Sequence, residues 1–420
     1  MDNKTNKKLK QPELLAPAGN LKKLRIAYKY GADAVYVGGK KFGLRAAAQN
    51  FTRTEIQKGL KTARKKGKKL YITLNIIPRD KDFKEIEDYV KFLDRIKVDR
   101  IIVSDPGILE TVRKFAPDLT VHLSTQANTT NSRSALFWSE NGIKRIILAR
   151  ELNLAQITKI REKLPEDVEL ETFVHGAMCM SYSGRCLLSS YLTGRQANRG
   201  ECTQPCRWSY QLTEKERPGE YLPVMEGEDY TTILSSKDLC LAKHVPELID
   251  AGIDSFKVEG RMKSSYYVAL VTSVYRKIID GYMEKPGGYT VSKNLLKELD
   301  KVNHREYTQS FNNNSPSRED QTYRSKAYIK KYEFMGVVQE YLKEKGLARV
   351  ETKNKLVEGD KIEFFQPGLN VFSHKIDRMF NRDMEPVRSA PHVRQTVYIK
   401  TARPVKKQDI IRKKVNFKDK

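Results

Sequence analysis

The chain has 420 residues, with 78 Lys plus Arg against 52 Asp plus Glu, a net charge of +26 at neutral pH. That length exceeds what one hydrophobic core usually serves, so one large domain plus a smaller one is expected. No apolar run approaches the roughly 20 residues of a membrane span and the chain opens MDNKTNKKLKQ, so a cytoplasmic protein with no membrane segment is expected, and its charge suits a polyanion such as nucleic acid.

In chain order, short apolar or β-branched runs stand at 13–16, 34–37, 70–74, 100–103, 119–123, 145–148, 168–174 and 253–258. Most are followed by an amphipathic stretch such as NLKKLRIAYKYG, TEIQKGLKTARKKG or NLAQITKIREKL, with apolar residues at helical spacing and Gly often closing the helix. Eight such units predict an α/β chain folded as a (β/α)8, TIM-like barrel over 1–305. A doubly wound open sheet shares the alternation but usually carries a glycine fingerprint early; APAGN and VGGKKFG do not match GxGxxG. Residues 306–325 are polar and aperiodic, the composition of a linker. Over 326–403 the runs KAYIKKYEFMGVVQEY, GLARVET, LVEGDKIEFFQPG and RQTVYIKTARP alternate and are broken by Gly and Pro. They predict a small C-terminal antiparallel β-barrel suited to RNA, with Tyr328 and Tyr332 as stacking candidates and 404–420 as a basic tail.

All five cysteines fall between Cys179 and Cys240, in an insertion over 176–242 that separates the seventh and eighth strands. In a reducing compartment an odd, clustered set of thiols points to metal ligands or catalysts more than to disulfides. The spacing is neither the CxxC pair of a zinc ribbon nor the CxxCxxC run of a bacterial ferredoxin; four thiolates at irregular spacing suit a 4Fe-4S cluster. A barrel keeps its active site at the C-terminal strand ends. Asn20, Arg45, Asn50, Asn75, Ser104, Asp105, Ser124, Gln126, Arg150, Glu151, His175, Glu259, Arg261 and Lys263 follow the eight runs or stand near their ends. Several have plain structural readings, such as helix capping for Asn20 or a surface ion pair of Arg150 with Glu151.

The run ETFVHGAMCMSYSGRCLLSSYLTGR resembles the signature of the collagenase-like U32 peptidase family, and ELLAPAGNLKKLRIAYKYGADAVYVGG, HLSTQANTTN and FKVEGRMKSSYYV resemble other barrel segments of that family. The resemblance covers nearly the whole chain, and the length and C-terminal extension are similar to the subgroup that hydroxylates tRNA. It implies an oxygen-independent hydroxylase that forms 5-hydroxyuridine at the tRNA wobble position, with prephenate as hydroxyl source and a 4Fe-4S cluster held by Cys179, Cys186, Cys202 and Cys240. Cys206 is then a neighbour or alternative ligand, and a hetero-complex with a shorter paralogue is a further expectation. Two carboxylates on prephenate need fixed cations, for which Arg45, Arg185 and Arg261 are the candidates, with Lys263 and Gln126 also placed at the substrate. His122, His175 and Glu259 are the candidate proton carriers. The other readings are hydroxylation of ribosomal RNA or of a quinone precursor, a non-catalytic RNA-binding or cluster-scaffold protein, and a peptidase, for which the chain offers no HExxH and no GxSxG.

Overall fold

The computed structural model describes residues 9–45, 48–208, 225–227, 230–232, 236–309 and 328–415. Eight parallel strands close a barrel: β1 (Glu13–Pro17), β2 (Ala34–Gly38), β3 (Lys69–Leu74), β4 (Arg100–Val103), β5 (Val121–Leu123), β6 (Arg145–Ile147), β7 (Glu169–Ala177) and β8 (Ser255–Val258). Each pairs with the next in chain order, and β8 pairs with both β7 and β1. All eight predicted runs are therefore barrel strands. They are buried on both faces, which is why they read as continuous apolar runs and not as alternation.

The helices α1 (Leu21–Lys29), α2 (Arg53–Lys65), α3 (Phe83–Arg95), α4 (Pro106–Phe115), α5 (Ser132–Glu140) and α6 (Leu154–Lys163) alternate with these strands. Asn20, Thr52, Asp105, Asn131 and Asn153 accept from N–H groups in the first turns of their helices, so Asn20 and Asp105 are caps. After β7 come α7 (Leu188–Thr193), the strand Asp238–Cys240 and α8 (Val245–Asp250); α9 (Ser265–Glu284) and α10 (Lys293–Leu299) follow β8. Among the described residues no helix is long and apolar enough to cross a membrane.

The lower barrel interior is charged. Arg145 bridges Glu13 at 2.5 Å and Glu171 at 3.1 Å, and Lys257 meets Glu171 at 2.9 Å, all with nearly inaccessible side chains. Breaking such a buried network costs far more than building it contributes, because one partner is left charged and unsolvated.

The C-terminal domain is antiparallel, as expected. Its strands β9 (Tyr332–Leu342), β10 (Leu347–Thr352), β11 (Lys361–Gln366), β12 (Asn370–Lys375), β13 (Thr396–Lys400) and β14 (Ile410–Lys414) run in the order β12-β11-β14-β9-β10-β13, extended by the short strands Met379–Phe380 and Pro386–Val387. Among the described residues no pairing joins the two ends of this sheet, so it stays open. The basic tail expected from residue 404 is corrected in part: Ile410 and Ile411 are wholly buried and β14 lies between β9 and β11. Of the expected linker, Tyr307–Thr308 pairs with the strand Asp238–Cys240, while 310–325 lies outside the described residues.

The two domains pack on each other. Tyr30, the C-cap of α1, stacks on Phe365 at 5.4 Å and donates to its carbonyl at 2.8 Å. Arg412 is fully buried between Glu363 at 2.7 Å, Glu298 at 3.1 Å and the Tyr266 hydroxyl at 3.3 Å. Tyr332, expected as a stacking residue for RNA, instead donates to Glu363 and lies under Arg412 in this interface.

Candidate active site at the barrel mouth

Two loops supply the charged groups at the mouth. The β2–α2 loop carries Arg45, whose guanidinium reaches Glu259 at 3.4 Å just past β8. Two residues on, Arg261 turns into the barrel; its side chain is buried and donates to the Thr73 hydroxyl of β3 at 3.2 Å. Gly38 makes room for it, since a Cβ there would stand 2.0 Å from the guanidinium. Burial and then the neighbouring Arg45 pull the Arg261 guanidinium down to about 10, so it keeps its charge at neutral pH. A buried cation with a second cation beside it is an anion seat.

The cysteine insertion is anchored around this mouth. Arg150, past β6, donates to the Ala177 carbonyl at 2.9 Å and the Ser183 hydroxyl at 2.7 Å, so it is a clamp, with Glu151 within electrostatic reach. Gln126 packs under Gly184 and joins Asn75 at 2.9 Å and Ser124. On the far side Arg199 forks onto Asp82 at 2.7 and 3.0 Å and caps the Ile77 carbonyl. Gly176, at φ +117°, lets β7 pass Glu259 on its way into the insertion, where a Cβ would stand 2.8 Å from that residue.

The cysteines divide four against one. Burial pushes the Cys206 thiol up, Arg207 pulls against it, and the thiols of Cys179, Cys202 and Cys186 push the same way as burial. These four therefore share one neighbourhood, and Cys202 lies within electrostatic reach of Arg45. Cys240 stands apart. It pairs across the sheet with His175, bonds Tyr275, and burial pushes its thiol up to about 11. Electrostatic coupling thus groups Cys206 with Cys179, Cys186 and Cys202, while Cys240 lies on the strand beside His175. Among the described residues no three or more His, Cys, Asp or Glu form a ready site for a metal ion. Four cysteines in one neighbourhood nonetheless match the donor chemistry of a thiolate-ligated cluster, whose bound cations offset the charge of the thiolates that hold it.

Neither histidine reaches the mouth. His122 is buried in the charged lower interior, edge-on to Tyr71 at 5.0 Å; burial and then Arg145 hold it well below the usual imidazole range. His175 is displaced by a bulge where β7 and β8 slip register between Lys257 and Val258. It packs among Tyr267, Tyr275 and Tyr307, and burial pulls it down to about 3. Lys263 is drawn to Asp238 at 3.9 Å and lies over Tyr267 and Tyr328, while Arg185 is exposed on the insertion. The sequence reading missed Thr73, Gly38 and the clamp Arg199, and named Arg150 without its clamping role. The glycines of VGGKKFG were the available sign that something approaches that loop closely.

A family model described as Peptidase family U32 matches residues 19–322, and one described as Peptidase family U32 C-terminal domain matches 330–412. The chain is 43% identical to tRNA hydroxylation protein P1 of Bacillus subtilis (strain 168) over 405 residues, covering 96% of this chain and 95% of that one. It is 37% identical over 431 residues to tRNA hydroxylation protein P of Escherichia coli (strain K12), 93% of each chain. It is also 41% identical over 275 residues to the 23S rRNA 5-hydroxycytidine C2501 synthase of the same strain, 66% of this chain and 40% of that one.

Proposed function

The chain belongs to peptidase family U32, and from that premise we propose that it is an RNA-modifying hydroxylase that forms 5-hydroxyuridine at the tRNA wobble position, with prephenate as co-substrate and a 4Fe-4S cluster on Cys179, Cys186, Cys202 and Cys206. The observation that carries this reading is the gathering of four thiols over a mouth that holds Arg45, Glu259 and the buried Arg261. When bound, a four-thiolate cluster of this kind would supply electron transfer. The chain's own residues bind and orient. Arg261 and Arg45 take the carboxylates of the co-substrate, Arg261 from within the barrel and Arg45 from its rim. Glu259, held by Arg45, is the carboxylate at the mouth able to accept the proton that leaves C5 of the base.

The near full-length likeness to relatives named for tRNA hydroxylation supports tRNA as substrate, as does the +26 charge. Exposed Tyr182, Tyr191 and Trp208 on the insertion, with Arg185 between them in sequence, are surfaces on which unstacked bases can lie. Ribosomal RNA is the second reading, favoured by the barrel's likeness to the 23S rRNA synthase. A cysteine peptidase is not favoured: Cys240, across from His175, has its thiol pushed up, the reverse of an activated nucleophile.

The test is mass spectrometry of tRNA and 23S rRNA nucleosides from cells lacking this chain and any paralogue, complemented with the intact chain or with Cys179→Ala. Loss of wobble 5-hydroxyuridine, restored by the intact chain alone, is the expected result. Unchanged tRNA with loss of an rRNA hydroxylation moves the assignment to ribosomal RNA, and no change in either RNA ends the hydroxylase reading.

A further inference from the structure

A cleft of about 430 Å³ opens beside the mouth, between the β2–α2 loop and α3. Phe42, Phe51 and Tyr89 are its aromatic walls, with Phe42 and Tyr89 ring centroids 6.0 Å apart. Phe42 holds a left-handed backbone at φ +66°, strained for a residue with a bulky side chain, and its carbonyl is fixed by the Asn75 amide at 3.1 Å. The Tyr89 hydroxyl is buried and lacks a hydrogen-bond partner. At the rim stand Lys40, Lys41, Arg53, Glu85 and Asp88, of which Lys41 and Glu85 pair at 2.6 Å.

Building on the proposed hydroxylase, we propose that this cleft receives a nucleobase of the RNA strand that flanks the modified nucleotide. The part-exposed Phe42 ring, backed by the buried Phe51 and Tyr89, offers a stacking face that every base can use. The mixed rim separates a nucleobase from a second small dicarboxylate: Glu85 and Asp88 accept base N–H groups and would repel a dianion, while Lys40 and Arg53 face backbone phosphates. The location fits too. Phe42 and Arg45 are three residues apart, at most about 10 Å of chain, so a nucleotide in the cleft is a near neighbour in the strand of one whose base reaches Arg45 and Glu259. The flanking base would set the register that brings the target carbon to the mouth.

Asp88→Trp fills the cleft from an exposed position on α3, and Arg53→Ala removes one rim cation. Both are compared with the wild type by circular dichroism to confirm folding, and then by titration of an anticodon stem-loop carrying 2-aminopurine at one position at a time. The expected result is a fluorescence change at one position beside the wobble uridine, lost in Asp88→Trp, with binding about tenfold weaker, the scale of one lost base stack. Arg53→Ala weakens binding and keeps the position-specific signal. If wild type and Asp88→Trp bind and hydroxylate the RNA alike, the cleft inference is overturned and the hydroxylase reading stands. If the wild type neither binds the stem-loop nor changes RNA nucleosides in cells, both fall together.

Discussion

Arg261 and Cys206 show how one side chain's surroundings redefine its role. Arg261 was legible as a strand-end cation, but its burial against Thr73 and under Gly38 is a contact across three strands that no local pattern announces. Cys206 was set aside for Cys240 on family grounds, and only the folding of the insertion separates them. Cys206→Ser should therefore lose most of the iron and visible absorbance of anaerobically purified protein, whereas Cys240→Ser should keep both; the opposite pattern would restore the original ligand set. His175 carries a pH prediction. Folded, it is pulled to about 3, against 6.5 in its ordinary state, so the unfolded chain binds a proton between those values that the folded chain does not. Its stabilising contribution is whole above that range and drains as pH falls through it. Urea unfolding of His175→Gln should show about 2 kcal/mol less loss of stability between about pH 7 and pH 5 than the wild type. His122, lowered in the same direction, leaves a residual slope.

At the scale of elements, the barrel was readable because each strand is buried on both faces and each helix is amphipathic, so strand and helix announce themselves with different periods. The direction of His175 has a cause that lies in β7. Side-chain direction alternates along a strand only until a bulge intervenes, and the slip beside His175 turns it toward α9 and Tyr307. The insertion could be delimited but not shaped, since its form depends on anchors donated by other elements. Arg150 is one of them. Removing two charge-assisted bonds worth about 1.5–3 kcal/mol each in favourable cases should raise trypsin cleavage within 178–208 at least tenfold in Arg150→Ala while the barrel's thermal unfolding barely moves. An unchanged cleavage rate would mean the other anchors suffice.

For the whole molecule, the charge and the two-domain division came directly from composition and pattern, but the way the domains meet did not. Arg412 sits in what reads as a basic tail and is instead buried against Tyr266 and Glu298 of the barrel and Glu363 of its own sheet. Arg412→Ala takes the guanidinium from two half-buried carboxylates, of which Glu298 keeps Lys301, a loss of about 1.5–3 kcal/mol. Calorimetry should find a clearly lower transition, and Arg412→Lys, which keeps charge without the fork, should recover only part of it. A transition equal to the wild type's would show that the other interface contacts, such as Tyr30 on Phe365 and Lys29 with Asp409, suffice.

From its residues alone the chain was already committed to eight strand–helix units, an antiparallel C-terminal sheet, a thiol-rich insertion and a polyanion-seeking charge. These follow from hydrophobic period, turn residues and composition, which act over a few residues or over the chain as a sum. Which cysteines couple, which arginine enters the barrel, where the two histidines point and where the last strand goes depend on contacts between residues far apart in the chain. Such contacts exist only once the barrel has closed, because burial and pairing across strands, not local propensity, fix their energies.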